Sequence, residues 1–432
     1  MELFNSLVAH EQQGKTIRVG LVGAGQMGEG LASQMELMHG MRAVAIADVQ
    51  AGRAAQALKT AKVEAGNIVE TDDPATASQA VRDGKRVATT RSDLLAKIED
   101  LDIVVEATGI PEVGAQVAFD AILNRKHVLQ MNVETDATVG YMLRRMARSA
   151  GVVYTLTAGD EPGTTMELFD FAHSLGFHVV AAGKGKNNPL DRSANPDTMA
   201  DRAKQKMMNP KMLASFVDGT KTMVEMTSFG NAVGFVPDVP GMHGPEVTAK
   251  TLASTFCPKE DGGILNGTGV VEYGRGVAPG VFVIFTTDHP KIARDLAYLS
   301  MGDGPYWALY RPYHLTSLET PISIARAVLK QETTIATDIP PVVETVAFAK
   351  RDLKAGETID ALGGFTVYGI IEKSAVAAEN DYLPLGLAPG ARLTKDVKAG
   401  APVTYGDVEL QTDTTIYYLR QLQDQTLARN TP

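Results

Sequence analysis

The sequence of 432 residues predicts an α/β fold whose first domain is a doubly wound parallel sheet. The main evidence is the stretch IRVGLVGAGQMG, where an apolar run leads into Gly23, Gly25 and Gly28. Apolar residues then recur at helical spacing through LASQMELMHG. A strand, a glycine turn and a helix, followed by further strand and helix patterns, are typical of a Rossmann-type dinucleotide-binding unit.

Each residue of the glycine turn has a separate physical purpose. Gly23 permits a sharp turn, Gly25 lets the backbone approach a diphosphate, and Gly28 lets the helix pack closely on the strand. Gln26 and Met27 begin the helix, whose unpaired N–H groups attract phosphates. We therefore predict that these five residues bind the cofactor.

The second strand pattern, MRAVAIAD, ends at Asp48, which lies 20 residues after Gly28. An acidic residue at this place binds the adenosine ribose hydroxyls and repels a 2′-phosphate, so we expect NAD rather than NADP. Arg53 follows five residues later and weakens that preference. The alternative is that Asp48 only caps the next helix.

Three further strand patterns end in polar loops. The carboxyl ends of parallel strands meet at one edge of a sheet, where the nicotinamide and the substrate are held. The residues that we expect there are Ala107, Thr108, Gly109 and Asn132 for the cofactor and Glu161 for the substrate.

Several blocks carry a resemblance to known families. The N-terminal third resembles the nucleotide domain of homoserine dehydrogenase. The blocks AGDEPG, AGKGKNNPL, DGTKTMVEM, GMHGPE, APGVFV and RPYHLTSLE resemble a narrower family in which a homoserine-dehydrogenase-like core carries an extra C-terminal domain. That family includes the deoxyxylulose-phosphate reductoisomerase-like enzyme and the D-apionate oxidoisomerase. The resemblance implies a homoserine-dehydrogenase-like α+β catalytic domain, but AGKGKNNPL stands where homoserine dehydrogenase has another segment.

Lys184 and Lys186 are the first catalytic candidates. The glycines around them predict an exposed turn, KGKNN, after a strand that ends near Ala182. Two ammonium groups beside the amides of Asn187 and Asn188 are suited to an anionic, hydroxyl-rich substrate. A desolvated lysine can also act as a general base. The alternative is a solvated basic turn.

Five more residues are candidates for the site. Glu225 is an acid in an apolar stretch, and we expect it to pair with one of the lysines. His314 is a candidate proton shuttle and His243 a candidate substrate ligand, although a lone histidine more often forms structural hydrogen bonds. Arg311 and Tyr313 flank a proline and are suited to bind a carboxylate or phosphate.

The metal requirement stays open. The sequence contains no HExxH motif and no metal-spaced set of cysteines and histidines. Asp160, Glu161 and Glu225 are oxygen ligands of the kind that Mg²⁺ accepts, and isomerisation of a hydroxyketone often uses such a Lewis acid.

Three domains are expected. Residues 1–158 form the dinucleotide-binding domain, completed by a helix at 315–335, and residues 159–314 form the catalytic and oligomerisation domain. Residues 341–432 form a small β-rich domain with an internal repeat, RDLKAGETI and KDVKAGAPV, offset by 44 residues. This segment resembles the SAF domain, and we expect it to serve in packing or oligomerisation rather than as a lid.

Composition restricts the partners. The charge of −10 without a basic block argues against nucleic-acid and membrane binding, and the single cysteine excludes an intramolecular disulfide. No signal peptide or membrane span is expected, so we predict a soluble cytoplasmic protein that forms a homodimer or homotetramer.

The function that these observations predict is NAD-dependent oxidation of a small hydroxylated acid or sugar-derived acid, and the resemblance implies a place in carbohydrate-acid catabolism. The resemblance adds coupled isomerisation of the D-apionate type. One alternative is an NADPH-dependent deoxyxylulose-phosphate reductoisomerase of isoprenoid precursor synthesis, which Asp48 disfavours. Another is a non-catalytic, NAD-responsive regulator.

Overall fold

A computed structural model describes residues 2–430, which divide into two compact units. Unit 1 contains residues 2–163, 315–338 and 418–430, and unit 2 contains residues 164–314 and 339–417. The segment 315–338 thus returns to the N-terminal unit. The last helical residues, 418–430, also cluster with unit 1, whereas the sequence placed them in the C-terminal domain.

Unit 1 alternates strands and helices from its start. Its elements are α1 Glu2–Gln12, β1 Ile17–Val22, α2 Gln26–Met35, β2 Met41–Ala47, α3 Arg53–Thr60, β3 Ile68–Glu70, α4 Pro74–Arg82, β4 Arg86–Thr89, α5 Ser92–Lys97, β5 Ile103–Glu106, α6 Pro111–Leu123, β6 His127–Gln130, α7 Val133–Ala150, β7 Tyr154–Leu156 and, later in the chain, α14 Thr320–Ala325. Two helices have residues in both units, α8 Glu161–Ser174 and α16 Thr415–Asn430.

The seven strands of unit 1 form one parallel sheet in the order β3-β4-β2-β1-β5-β6-β7. Strand order reverses on the two sides of β1, as in doubly wound folds. The strands are continuous apolar runs because helices cover both faces, and Ile17, Leu21 and Ile46 are fully buried. The predicted Rossmann-type fold is confirmed.

The helix predicted within 315–335 is interrupted in the structure. A 3₁₀ turn at Thr316–Leu318 precedes α14, and a π-helical turn at Arg326–Lys330 follows it. Pro321 occupies the first turn of α14, a position that proline favours. The α-helix in this segment therefore covers only six residues.

Unit 2 holds a mixed sheet and a β-rich segment. Its elements are β8 His178–Lys186, α9 Pro196–Gln205, α10 Pro210–Val217, α11 Thr220–Val233, β9 Val236–Pro237, α12 Leu252–Thr255, β10 Val270–Arg275, β11 Val281–Thr286, α13 Pro290–Tyr298, β12 Tyr306–Arg311, β13 Val343–Ala349, β14 Val367–Lys373, α15 Ser374–Glu379, β15 Arg392–Leu393 and β16 Val408–Glu409. The sheet order is β12-β11-β8-β10-β9, with β8 in the centre.

The repeat in the C-terminal segment is also visible in the structure. Lys354 of the first copy contacts Asp396 of the second at 2.7 Å, and Lys398 of the second contacts Asp352 of the first at 3.0 Å. Two small antiparallel pairs, β13 with β14 and β15 with β16, complete this segment. None of the helices between residues 2 and 430 is long and apolar enough to cross a membrane.

Candidate active site

The glycine turn after β1 has the geometry that the sequence predicts. Gly23 has φ +98°, and a Cβ there would lie 2.9 Å from the carbonyl oxygen of Ala107. A Cβ on Gly28 would lie 1.9 Å from the carbonyl oxygen of Gly23, so no larger residue fits. Gly25 is the N-cap of α2 and supplies no side-chain cap, which leaves the N–H groups of the first turn, at Gln26 and Met27, available to a diphosphate.

Asp48 follows β2 and ties the glycine turn to the next loop. One carboxylate oxygen accepts the Ala24 N–H at 2.9 Å, and the other accepts the Gln50 N–H at 2.9 Å. The Arg53 Nε lies 4.0 Å from the same carboxylate. Asp48 is not the cap of α3, because Gly52 occupies that position. An acid at the rim of an open diphosphate turn fits NAD.

The loop after β5 carries the next predicted cofactor residues. Thr108 donates its N–H to Glu106 at 2.7 Å, and Gly109 has φ +71°. Asn132, which is predicted to contact the cofactor, is buried: its oxygen accepts the Thr135 N–H at 3.2 Å as the cap of α7, and its amide donates to the Ile110 carbonyl. The structure therefore gives Asn132 a role in fixing this loop.

Glu106 is a buried acid that the sequence analysis did not select. It ends β5, is fully buried, and its second carboxylate oxygen has no hydrogen-bond partner among the described residues. Burial raises the pKa of Glu106 to about 7, and hydrogen bonds to Thr108 and Asn132 oppose this shift.

The structure corrects the prediction that KGKNN is an exposed turn. β8 continues through Lys186, and both Lys184 and Lys186 are buried. The glycines here serve close packing: a Cβ on Gly183 would lie 1.9 Å from the Glu272 carbonyl oxygen, and one on Gly185 would lie 2.4 Å from the Ala278 nitrogen.

The two lysines share one face of β8 because strand residues two apart point the same way. Lys184 forms a buried ion pair with Glu225, which lies on α11. The pairing that the sequence predicts for Glu225 is therefore present. Opposite charges in hydrogen-bond contact keep both groups ionised.

Lys186 has a different environment from Lys184. Its ammonium group donates to the Phe216 carbonyl at 2.5 Å, and no carboxylate lies within ion-pair distance in the described chain. Burial, and then the charge of Lys184, lower the pKa of Lys186 to about 8, against an opposing influence from Asp218.

The two asparagines differ as well. Asn187 is exposed, and its side-chain oxygen accepts a hydrogen bond from Asn188 at 3.0 Å. Asn188 is buried, and its oxygen accepts from Arg202 at 2.5 Å. Asn188 therefore links the end of β8 to α9, while Asn187 stays accessible.

The other predicted substrate residues of unit 2 have protein partners of their own. His243 contacts Glu272 at 2.6 Å through one ring nitrogen and Asp238 at 3.5 Å through the other. Arg311 donates to Glu167 at 3.1 Å, and its guanidinium lies 4.6 Å from the centre of the Tyr313 ring. These contacts do not include Lys184 or Lys186.

Glu161 and His314 are each half-buried. Glu161 begins α8 in unit 1, and His314 follows β12 in unit 2. Of the three carboxylates considered for a metal, Glu225 is occupied by its ion pair with Lys184. Asp160 and Glu161 adjoin each other in sequence in unit 1.

Three charged residues near the lysines were missed by sequence reasoning. Asp218 is fully buried and pairs at 2.8 Å with Lys350, which lies on the turn after β13. The Arg192 guanidinium donates to the Asp218 carbonyl at 2.6 Å. Asp218 opens the block DGTKTMVEM, which was a usable signal, but nothing local in the sequence connects Lys350 with residues more than a hundred positions earlier.

Comparison with protein-family models identifies three domains. Residues 23–156 match the NAD-binding domain of homoserine dehydrogenase, residues 159–320 match the catalytic domain of oxidoreductase DRL, and residues 344–409 match the SAF domain. A search of curated proteins found no match.

Solved structures match this chain only at low identity and low TM-score. A probable dehydrogenase from Thermotoga maritima is 13% identical, with 73% of this chain and 90% of that chain covered and a TM-score of 0.41. The scyllo-inositol dehydrogenase of Lactobacillus casei is 12% identical, with 74% and 90% covered and a TM-score of 0.43. The myo-inositol 2-dehydrogenase of Lactobacillus plantarum is 12% identical, with 74% and 91% covered and a TM-score of 0.40. These TM-scores are too low to assign a substrate.

Proposed function

We propose that the chain oxidises a hydroxyl group of a small, sugar-derived hydroxy acid, because it matches the NAD-binding domain of homoserine dehydrogenase, the catalytic domain of oxidoreductase DRL and the SAF domain. The observation that carries the proposal is the pair of buried lysines on β8, of which only Lys184 has a carboxylate partner within residues 2–430. A neutral amine and an ammonium on one strand face are suited to alcohol oxidation.

Lys186 is the proposed general base. Its pKa of about 8 leaves part of the population neutral near physiological pH, which is the condition for accepting a hydroxyl proton. Lys184, held as an ammonium by Glu225, donates a hydrogen bond to the same substrate oxygen and stabilises negative charge that develops there.

The oxidation removes one proton and one hydride from the substrate. The hydroxyl proton moves to Nζ of Lys186, the carbon–oxygen single bond becomes a carbonyl, and the carbon loses hydride. NAD, when bound at the glycine turn of unit 1, supplies the hydride acceptor. Asp48 at the rim of that turn supports NAD over NADP.

We further propose that the ketone rearranges before release, as in an oxidoisomerase of the D-apionate type. In this rearrangement a bond from the neighbouring carbinol carbon breaks and re-forms at the ketone carbon, so that the carbinol becomes the new carbonyl and the former ketone becomes a hydroxyl. The Lys184 ammonium would polarise the ketone, and Lys186 would give its proton to the ketone oxygen and accept the proton that the carbinol hydroxyl loses. Mg²⁺ as an additional Lewis acid is part of the test, since carboxylate-rich substrates bind it readily.

The test is the appearance of NADH with purified protein, NAD⁺ or NADP⁺, and linear and branched sugar acids including apionate, with and without Mg²⁺. We expect kcat/KM to rise with pH to a plateau, with a midpoint near the Lys186 pKa of about 8. The groups that act on this midpoint are Lys184 and Arg192, which lower it, and Asp218 and Glu225, which raise it.

Lys186→Met should lower kcat by about 10²- to 10⁴-fold, the usual contribution of a general base. Lys250→Met is the matched control, since Lys250 is an exposed lysine of the same unit. Full activity of Lys186→Met contradicts the assignment. NADPH consumption on deoxyxylulose phosphate supports the reductoisomerase alternative, and NAD binding without turnover on any substrate supports the regulator.

A further inference from the structure

Beside the two lysines lies a guanidinium without an acidic partner. The Nη1 of Arg192 donates to the Asp218 carbonyl at 2.6 Å, and its guanidinium lies 4.9 Å from the centre of the Tyr368 ring. Within residues 2–430, no carboxylate lies at ion-pair distance from Arg192. Arg192 is half-buried, and this burial lowers the pKa of its guanidinium.

The charges around Arg192 do not balance. The two acids whose charges act on Lys186 are each paired with another lysine, Glu225 with Lys184 and Asp218 with Lys350 at 2.8 Å, and the buried acid beside Tyr273, Glu272, contacts His243 at 2.6 Å. Lys186 and Arg192 have no acid of their own, and the charge of Arg192 is close enough to help lower the pKa of Lys186. A desolvated site with surplus positive charge favours an anionic ligand.

Two tyrosines border the same guanidinium. Tyr273 lies on β10 directly opposite Lys184 of β8, so their side chains share one face of the sheet. Tyr368 lies on β14, within the SAF-type segment. The charge of Arg192 reaches both phenols, because it opposes the rise in pKa that burial causes in each. Among the described residues neither hydroxyl has a hydrogen-bond partner, so both remain able to donate.

We propose that Arg192, Tyr273 and Tyr368 form a subsite for the anionic group of the substrate, a carboxylate or a phosphate. The guanidinium supplies the charge and the two phenols supply neutral donors, which is the donor set that recognises such oxygens. The register of Tyr273 with Lys184 places the subsite next to the catalytic lysines, so the anchored substrate presents a neighbouring hydroxyl to Lys186. That the anionic ligand is the substrate rests on the proposed function.

The subsite can be tested without turnover. Gluconate, glucitol 6-phosphate and glucitol share a six-carbon polyol chain and differ in carrying a carboxylate, a phosphate or neither. Calorimetric titration of the NAD-loaded protein at constant ionic strength should show at least one of the two anions binding ten or more times more tightly than glucitol. The tighter anion identifies the substrate as a hydroxy acid or a sugar phosphate.

Arg192→Met should abolish this preference, and Arg192→Lys should retain part of it because the charge remains. Arg294→Met is the matched control, since Arg294 is exposed on α13 of the same unit. Tyr273→Phe and Tyr368→Phe keep the rings but lose the hydroxyls, so each should weaken binding of the preferred anion several-fold. Fluorescence of the single tryptophan, Trp307, verifies folding of unit 2 in every variant.

Unchanged anion preference in Arg192→Met, or equal binding of all three probes by the wild-type protein, overturns the subsite. With an active substrate in hand, Arg192→Met should raise KM far more than it lowers kcat, the reverse of Lys186→Met. Anion preference that depends on Arg192 in a protein without dehydrogenase activity leaves the subsite standing and removes the proposed function, so the two failures are distinguishable.

Discussion

Glu225→Gln tests the buried ion pair most directly. The change keeps the shape of the side chain but removes its charge, so the Lys184 ammonium loses the opposite charge of Glu225 where only 7% of the lysine side chain is exposed. Breaking a buried pair in this way typically costs about 3–5 kcal/mol. Alternatively, Lys184 can lose its proton in the folded variant, which at pH 7 costs at most about 5 kcal/mol relative to an ordinary lysine pKa of about 10.4.

The cost of releasing the Lys184 proton predicts that the stability of Glu225→Gln depends on pH. If Lys184 is neutral in the folded variant but charged in the unfolded chain, each unit of pH increase recovers about 1.4 kcal/mol. The destabilisation of Glu225→Gln should therefore be smaller at pH 9 than at pH 7 by up to about 3 kcal/mol. The double variant Lys184→Met with Glu225→Leu should regain most of the stability while remaining inactive, because an apolar pair often replaces a buried ion pair at little cost.

The assay is urea unfolding followed by the fluorescence of Trp307, which is buried in unit 2 and reports on that unit. Lys250→Met is again the control. A Glu225→Gln protein that unfolds at pH 7 within about 1 kcal/mol of the wild type would refute the reasoning, since surface-like pairs show losses of that size.

Three further predictions concern unit 1. Glu106→Gln should be more stable than the wild type above pH 7 by up to about 3 kcal/mol, and this advantage should vanish below pH 4.5. The folded-state pKa of about 7 lies above the unfolded value, so the wild type loses stability as the pH rises towards 7. Unfolding followed by circular dichroism across this pH range measures the difference in the free energy of unfolding. Asp48→Ala should weaken NAD binding about 10- to 100-fold and reduce the preference for NAD over NADP, because charge-assisted hydrogen bonds worth about 1.5–3 kcal/mol are lost. Calorimetric titration with both cofactors measures the two affinities, and an unchanged ratio contradicts the assignment of Asp48. Gly28→Ala should distort the glycine turn, because the new Cβ would lie 1.9 Å from the Gly23 carbonyl oxygen. The increase in Tm that NAD causes should then disappear. Gly66→Ala is the control, since its Cβ has open space, and it should retain the increase.

The fold of unit 1 was predictable because its signals are local. A glycine turn between a strand and a helix requires residues without a Cβ at fixed spacing, and Gly23, Gly25 and Gly28 show that spacing directly. Continuous apolar runs predict strands buried on both faces, as β1 and β5 are.

The lysine site was predictable only in its residue types. KGKNN suggested an exposed turn because glycine usually marks turns. In the structure Gly183 and Gly185 instead allow neighbouring backbone to approach β8, which buries both lysines. No local pattern distinguishes these two uses of glycine, since the neighbouring segments come from residues 272–278.

The sequence by itself determined the Rossmann-type sheet, the glycine turn, the acid at the end of β2 and the choice of Glu225 as a partner for a lysine. Each depends on spacing along the chain or on the cost of burying an acid alone. Only the tertiary structure decided which lysine is paired, that Lys350 neutralises Asp218, and that Arg192 is left with surplus charge. These outcomes depend on desolvation and on charges brought together from distant segments, and neither quantity is encoded in local spacing.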